Sequence, residues 1–167
     1  RASSLSQLKR LDEILNGTPV PTFVIDLDHR VTHWNRACEM VLHYPAQSMI
    51  GSNDQWKPFY PNPRPVMADL VVSGELDSGI NTYYSNKFRR SAIIPGSYEA
   101  EDFFPGIGLD GTWLYFTATP LRDEAGVSLA PSKPCRTFPL NGARIRRCAM
   151  NIRFSTPLLN TSPAAFL

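Results

Sequence analysis

The strongest restriction on the fold of this chain comes from residues 111–121, GTWLYFTATPL. Large apolar residues occupy consecutive positions from Trp113 to Phe116, so a strand there would be apolar on both faces. Such a strand is typical of the interior of a sheet rather than its edge. The tight turn RDEAG follows, which predicts a further strand starting at Val127.

The composition changes at this predicted strand. Residues 1–124 hold all 15 acidic residues against 11 Lys and Arg, whereas residues 125–167 hold six basic residues and no acidic one. Pro131, Pro134 and Pro139 disfavour a regular interior strand, because proline cannot donate to the ladder. A basic tail of this kind is typical of a disordered arm that contacts phosphates.

Length and composition indicate one globular domain. The chain has 167 residues, of which 43% are hydrophobic and 11% aromatic, as in ordinary soluble proteins. No apolar run approaches the roughly 18 residues of a membrane span, and no signal-peptide pattern opens the sequence. The three scattered cysteines match neither a disulfide framework nor a zinc site. We therefore expect a cytoplasmic protein without membrane contact.

The first half of the chain predicts short helices and a hairpin. Leucines and isoleucines at helical spacing predict a helix that ends at Gly17, which either caps the domain or pairs with its twin. Residues 23–25 and 31–34 predict a hairpin, and Asn35 is a good N-cap for the helix after it. Pro65 fits the first turn of a helix over residues 66–72. Residues 75–96 predict a long loop, with a helical turn at NTYYSNKF.

Two segments resemble a known family. TFVIDLDHRVTHWNRACEMVLHYPAQSMIG, with its D-x-D-x-x-x-x-x-W-N hairpin, resembles the first half of a bacterial PAS domain, and GTWLYFTATPLRDEAGV resembles the penultimate PAS strand. The similarity spans residues 18–128. It implies an α+β fold, with a five-stranded antiparallel sheet, helices on one face and an N-terminal helix. The implied divisions are an N-terminal helix at 1–17, a PAS domain at 18–130 and an atypical basic tail at 131–167.

The tail departs from the PAS pattern. PAS domains end in a strand like ETLQDIT, but this chain continues SLAPSKPCRTFPLNG. Synonymous codons for residues 131–139, shifted by one base, permit Ile-Glu-Thr-Leu-Gln-Asp-Ile-Ser, so we hypothesise a one-base shift near residues 127–130. The last strand lies in the middle of a PAS sheet. We therefore expect it to be irregular, truncated or swapped, supplied by part of the tail or by a second copy. If the tail is frame-shifted, its arginine content does not indicate nucleic-acid binding.

The resemblance implies a ligand pocket between the inner sheet face and the helices. Asn35, Tyr83, Tyr84 and Arg90 are the polar residues best suited to hold a ligand there. Plain core packing also requires apolar residues at these positions and is the favoured interpretation of the apolar members. The predicted lining is Phe23, Ile25, Asn35, Met40, Trp56, Phe59, Met67, Leu70, Tyr98, Leu114 and Phe116.

The motifs of the best-defined PAS cofactors are missing. Haem-binding PAS sensors of the commonest kind use a His on the long helix, and PVMADLVVS has none. Flavin photosensors use an Asn-Cys-Arg-Phe motif after the early helices, which GSNDQWKPF lacks. Haem and covalent flavin are therefore disfavoured, and the ligand identity stays open. His29, His33 and His43 accompany no nucleophile motif, so we expect neither an enzyme nor a metal site.

These features predict a non-enzymatic sensory module of a bacterial signalling protein. It would detect a small ligand or a partner and pass a conformational change to an output domain absent from this chain, of histidine kinase or diguanylate cyclase type. A homodimer is expected. A ligand-free dimerisation scaffold is one alternative, and a basic-tailed nucleic-acid binder is another.

Overall fold

The computed structural model describes residues 2–75, 79–85, 87–122 and 145–154. Within these ranges no helix combines the length and apolar character needed to cross a bilayer. In chain order the elements are α1 (Ala2–Gly17), β1 (Thr22–Asp26), β2 (Val31–Trp34), α2 (Arg36–Leu42), α3 (Ala46–Met49), α4 (Met67–Ser73), α5 (Gly79–Tyr84), β3 (Phe88–Arg90), β4 (Tyr98–Phe104), β5 (Thr112–Arg122) and β6 (Ile145–Phe154).

The strands form one antiparallel sheet in the order β2-β1-β6-β5-β4-β3. β5 lies between β6 and β4, so its predicted interior position is confirmed, as are the α+β class and the N-terminal helix. The sheet has six strands rather than five. The added strand, β3, lies in the region predicted to be a loop, and its three residues pair with the start of β4 at the edge of the sheet.

The central strand is supplied by part of the tail, as one of the two expected alternatives had it, and it is neither truncated nor swapped. Its pairing with β5 is irregular only between Leu121 and Arg122. β6 has ten residues and comes from the same chain. It pairs with β1 on one side and with β5 on the other. Its position satisfies the backbone groups of both neighbours, which would be costly to bury unpaired.

The alternation of residues in β6 explains why it forms. Cys148, Met150 and Ile152 are buried on one face, whereas Arg153 on the other face is exposed. This period of two is the pattern of a strand with one face on the core. The three tail prolines and the segment of the frame-shift hypothesis lie outside the described residues, so that hypothesis stays a prediction.

The core lies between the sheet and α4. Met67, Leu70 and Val71 of α4 are almost fully buried, as are Phe23 of β1 and Phe116 of β5. Burying a side chain of this size stabilises the fold by roughly 1.5–3 kcal/mol. By contrast, residues 5–7 and 9–14 of α1 are exposed.

Candidate functional site

Most of the predicted lining residues lie in or against the core. Phe23, Ile25, Met67, Leu70, Tyr98, Leu114 and Phe116 are buried, and Trp56 and Phe59 pack half-buried against them. Met40 is a correction, since its side chain is 68% exposed. The reason is helical geometry, because α2 turns Cys38 and Leu42 toward the core and Met40 toward solvent.

Asn35 is buried but has no hydrogen-bonding capacity left for a ligand. Its Oδ1 accepts from the backbone N–H groups of Thr22 and Cys38, each at 3.0 Å. Its Nδ2 donates to the carbonyl oxygens of Leu15 and Val20, each at 2.9 Å. A side-chain amide offers two donors and two lone pairs, and all are used. Asn35 therefore caps α2 and joins the end of α1 to β1.

Further contacts fasten the C-terminal half of α1. The backbone N–H of Arg36 donates to Asn16 Oδ1 at 3.0 Å. His33 Nε2 on β2 lies 3.6 Å from Asp12 Oδ1. Burial lowers the pKa of His33, and the nearby Asp12 acts in the opposite direction. α1 is thus attached to the domain along its last two turns, beside β2 and α2.

A buried carboxylate organises one polar cluster, the Asp69 network, which consists of Asp69, His29 and Gln55. Asp69 Oδ1 accepts from His29 Nδ1 at 2.7 Å and from Gln55 Nε2 at 2.8 Å. Asp69 Oδ2 accepts from the backbone N–H of Val66 at 2.9 Å, which satisfies a donor at the start of α4. The network therefore joins the β1–β2 turn, the loop after α3 and helix α4.

The histidine of this network donates a hydrogen bond to the carboxylate. A carboxylate only accepts hydrogen bonds, so His29 Nδ1 carries a proton. This hydrogen bond raises the pKa of His29; burial opposes the rise, and Asp26 and Asp28 add to it. His29 itself has a φ of 61° in the turn, a left-handed conformation that few residues other than glycine adopt.

A second polar cluster surrounds a single cation. The Arg64 cluster consists of Arg64, Tyr60, Tyr83 and Tyr84, and its guanidinium carbon lies 3.9, 5.0 and 5.4 Å from the three ring centroids, respectively. The hydroxyls of Tyr60 and Tyr84 are hydrogen-bonded at 3.1 Å. Arg64 Nη2 donates to the Tyr83 carbonyl at 3.4 Å, but the buried Nε has no partner among the described residues. Such an orphan donor is uncommon in folded proteins.

Aromatic rings connect the Arg64 cluster to the inner face of the sheet. The ring of Tyr84 meets Phe116 of β5 with centroids 5.7 Å apart, and Tyr60 meets Phe104 of β4 at 5.8 Å. Phe104 and Phe116 are in edge contact at 6.0 Å, and Phe59 meets Phe104 at 5.6 Å. The cluster therefore combines one cation, two hydroxyls and an apolar aromatic surface.

The positive charge of Arg64 is not compensated within the described residues. No carboxylate in that part of the chain lies within salt-bridge distance of it. Burial raises the pKa of Tyr60 and raises that of Tyr84 well above its ordinary value, so both hydroxyls are neutral at physiological pH. The nearby Lys87 and Asp102 pair with each other at 2.7 Å. The arrangement favours an anion.

Sequence reasoning found part of this cluster. Tyr83 and Tyr84 were put forward as polar residues and lie in it, whereas Arg90 lies on the edge strand β3 with its guanidinium 5.7 Å from the ring of Tyr98. Tyr60 and Arg64 were missed, because their segment was interpreted only as irregular packing. One feature of the sequence could have drawn attention to Arg64: it is the sole basic residue in the interval 58–86.

The described side chains offer little for catalysis. Burial raises the pKa of the Cys38 thiol to about 12 and also raises that of Cys148, so neither is a thiolate nucleophile at neutral pH. No group of three His, Cys, Asp or Glu that would suit a metal ion occurs in the described ranges.

The sheet order, the helices packed on the sheet and the outer N-terminal helix define a PAS-like α+β protein. The family model of the PAS fold matches residues 9–53, from within α1 to just beyond α3. The predicted resemblance to PAS domains is therefore confirmed. No curated protein matches the sequence.

Solved structures similar to this chain include several PAS domains. The PAS domain of BvgS from Bordetella pertussis has 13% identity and a TM-score of 0.47, with 89% of this chain and 84% of that chain covered. A PAS domain from Colwellia psychrerythraea has 12% identity and a TM-score of 0.46, with 88% and 95% covered. The PAS domain of nitrogen regulation protein NR(II) from Vibrio parahaemolyticus has 12% identity and a TM-score of 0.43, with 86% and 96% covered. These values support no statement about ligand or output.

Proposed function

We propose that this chain is a non-enzymatic regulatory module of a bacterial signalling protein, which senses a small ligand at the Arg64 cluster and passes the change to α1. The output domain, of histidine kinase or diguanylate cyclase type, would lie outside this chain. The observation that carries the proposal is the hydrogen bonding of Asn35, because one buried side chain joins the start of β1, the cap of α2 and the end of α1. A change in the sheet therefore has a direct connection to the outer helix.

Contacts run without a break from the Arg64 cluster to the central strand. Tyr84 packs against Phe116 of β5, and Phe116 lies opposite Ile152 of β6. Asn151, the next residue of β6, places its Nδ2 3.5 Å from the Thr117 hydroxyl of β5. Rearrangement of the rings on the inner face therefore bears on the pairing of β5 with β6.

The same strand connects to Asn35. The Thr22 hydroxyl donates to Asn151 Oδ1 at 2.8 Å, and the Thr22 N–H donates to Asn35 Oδ1 at 3.0 Å. A ligand shifts such an equilibrium only if it binds one packing of these residues more tightly than the other. Continuity of contact alone does not demonstrate coupling, so the test must measure α1 directly.

The substitution Asn35→Asp tests the connection to α1 without removing the helix cap. Aspartate keeps the Oδ1 acceptor and is itself a good N-cap, but it lacks the donor to the Leu15 and Val20 carbonyls. We expect amide hydrogen exchange in the second half of α1 to accelerate at least about tenfold. The change removes the hydrogen bond to Leu15, worth about 1.4 kcal/mol, and places a carboxylate oxygen against the Leu15 and Val20 carbonyls. Exchange in β5 should change little.

The matched control is Asn53→Asp, in an exposed loop position. It makes the same chemical change without a contact to α1, and its exchange profile should match that of the wild type. If Asn35→Asp leaves α1 exchange unchanged while the domain stays folded, Asn35 does not hold α1, and the proposed relay is wrong.

The exposure of α1 favours a second function, a dimerisation scaffold. Leu11 and Ile14, which lie about 60° apart around α1, are 43% and 60% exposed and form an apolar strip that a second copy would bury. We expect light scattering to show a dimer that Leu11→Ser with Ile14→Ser converts to a monomer, whereas Lys9→Ser on the opposite, exposed side of the helix does not. A monomeric wild type would remove this candidate.

A further inference from the structure

We propose that the Arg64 cluster binds a small organic carboxylate with an apolar body. This inference rests on the sensing role proposed above and names the chemical class of the ligand. Three features carry it: an uncompensated cation with an unpartnered donor, neutral hydroxyls beside it, and an aromatic surface beneath them.

The cation defines the charge of the ligand. Arg64 is the charged member of a cluster whose other polar side chains are neutral tyrosines, and no described carboxylate pairs with it. A partly buried charge is normally paired, because its desolvation otherwise goes uncompensated. The faces of three tyrosine rings stabilise the guanidinium. A ring face does not accept a hydrogen bond from an N–H group that points along the guanidinium plane. A single anionic group completes the site.

The orientation of Arg64 defines the geometry of the anion. The guanidinium stacks on Tyr60, which fixes its plane and leaves the in-plane N–H groups for an acceptor. Nε is buried without a partner, and Nη2 makes only a long bond of 3.4 Å to a carbonyl. Two parallel N–H groups on one edge of guanidinium match the two oxygens of a carboxylate.

The tyrosines and phenylalanines define the rest of the ligand. Of the hydrogen-bonded Tyr60 and Tyr84 hydroxyls, one donates to the other, and the second proton remains for an acceptor. The half-buried ring of Phe59 provides an apolar surface next to the Tyr60 ring, and it packs on the buried ring of Phe104. One cation suits a monoanion better than a phosphate dianion, so a carboxylate on an aromatic or aliphatic body fits best.

The test is a titration of the purified chain with matched acids and amides. Benzoate, phenylacetate and hexanoate serve as probes, each paired with its neutral primary amide, and inorganic phosphate serves as the competing anion. Calorimetry measures affinity, and thermal unfolding measures the accompanying stabilisation. We expect at least one carboxylate to bind at least about tenfold more tightly than its amide, as a charge-assisted hydrogen bond requires, and more tightly than phosphate.

Variants assign the binding to the cluster. Arg64→Gln should weaken the carboxylate about 10- to 100-fold, the loss expected for charge-assisted hydrogen bonds. Tyr60→Phe should weaken it less and serves as a second variant if Arg64→Gln does not fold. Arg89→Gln is the matched control, since Arg89 also lies over a tyrosine ring, that of Tyr115 at 6.0 Å, but is already paired with Glu99 at 2.8 Å. It should bind like the wild type.

Three results would overturn the inference: no carboxylate binds, an amide or phosphate binds as tightly, or Arg64→Gln and Tyr60→Phe both leave affinity unchanged. None of these affects the exchange experiment on α1, which uses no ligand. Failure of the ligand assignment and failure of the relay are therefore distinguishable.

Discussion

The Asp69 network and the Arg64 cluster lie on either side of the start of α4, and both place a charged group against the same core. In the first, the carboxylate of Asp69 accepts hydrogen bonds from His29, Gln55 and the Val66 backbone. In the second, the cation of Arg64 has an unpartnered Nε and no carboxylate among the described residues. One charge is paired, and the other has no oppositely charged partner in the part of the chain that the structure describes.

This difference separates structural polar groups from groups available to a ligand. A buried charge that is fully hydrogen-bonded stabilises the fold, because removing it leaves its partners unsatisfied. A partly buried charge without partners contributes little to folding, because its desolvation is not compensated. A bound molecule of opposite charge would supply that compensation. The Asp69 network has one incomplete group, Gln55 Oε1, which is buried without a partner in the described part of the chain. It is otherwise closed.

The largest expected effect is that of Asp69→Ala. The change removes the acceptor of a histidine, a glutamine and a helix N–H at once, so we expect a loss of about 3 kcal/mol in the free energy of unfolding. Urea denaturation at neutral pH measures it. The control Asp54→Ala removes a half-exposed carboxylate whose partner is Lys57 and should cost about 0–1 kcal/mol. Equal losses for the two variants would contradict a structural role for the network.

Tyr84→Phe has the next largest expected effect. It tests whether the hydrogen-bonded pair of Tyr60 and Tyr84 is available to a ligand or is required for folding. The side chain is 1% exposed, and its ring contacts survive the change, so only the hydrogen bonds of its hydroxyl, to Tyr60 and Arg64, are lost. We expect a destabilisation of about 1 kcal/mol, again by urea denaturation. Tyr83→Phe, whose side chain is 39% exposed, is the control and should be nearly neutral. A loss above about 2 kcal/mol for Tyr84→Phe would place this hydroxyl among the structural groups.

These contacts also show which parts of the structure could be predicted from the sequence. β5 was predictable because its apolar residues mark both its faces, a local property of the strand. The position of β6 in the tail was not predicted, although Cys148, Met150 and Ile152 recur at every second residue, because the PAS pattern places the last strand near Val127. The Asp69 network and the Arg64 cluster were beyond prediction for another reason. Each joins residues from separate elements, and their proximity exists only after the sheet and α4 have packed.

A smaller effect concerns the pH dependence of the Asp69 network. Hydrogen bonding to Asp69 raises the pKa of His29 above its ordinary value of 6.5, with Asp26 and Asp28 adding to the rise. The stabilisation is therefore full below pH 6.5 and is lost as the pH rises through the raised pKa. The effect is modest because the His29 side chain is 37% exposed, where solvent screens the pair.

The difference in stability between the wild type and His29→Asn isolates this titration. Asparagine tolerates the left-handed backbone of the turn, and the subtraction removes the opposite contribution of His33. We expect the advantage of the wild type, measured by urea denaturation, to be greater at pH 5.5 than at pH 8.5. An advantage that is constant or grows with pH would show that the histidine is not held protonated by Asp69.

The smallest effect on folding is expected for Arg64→Gln, the same change that should weaken carboxylate binding most. Removing the cation loses its contact with the ring of Tyr60, but it also removes the cost of desolvating an unpaired charge, and these contributions oppose each other. The free energy of unfolding should change by no more than about 0.5 kcal/mol in urea denaturation without ligand, as it should for the surface control Arg89→Gln. A loss comparable to that of Asp69→Ala would mean that Arg64 is paired within the folded chain, and the contrast between the two clusters would disappear.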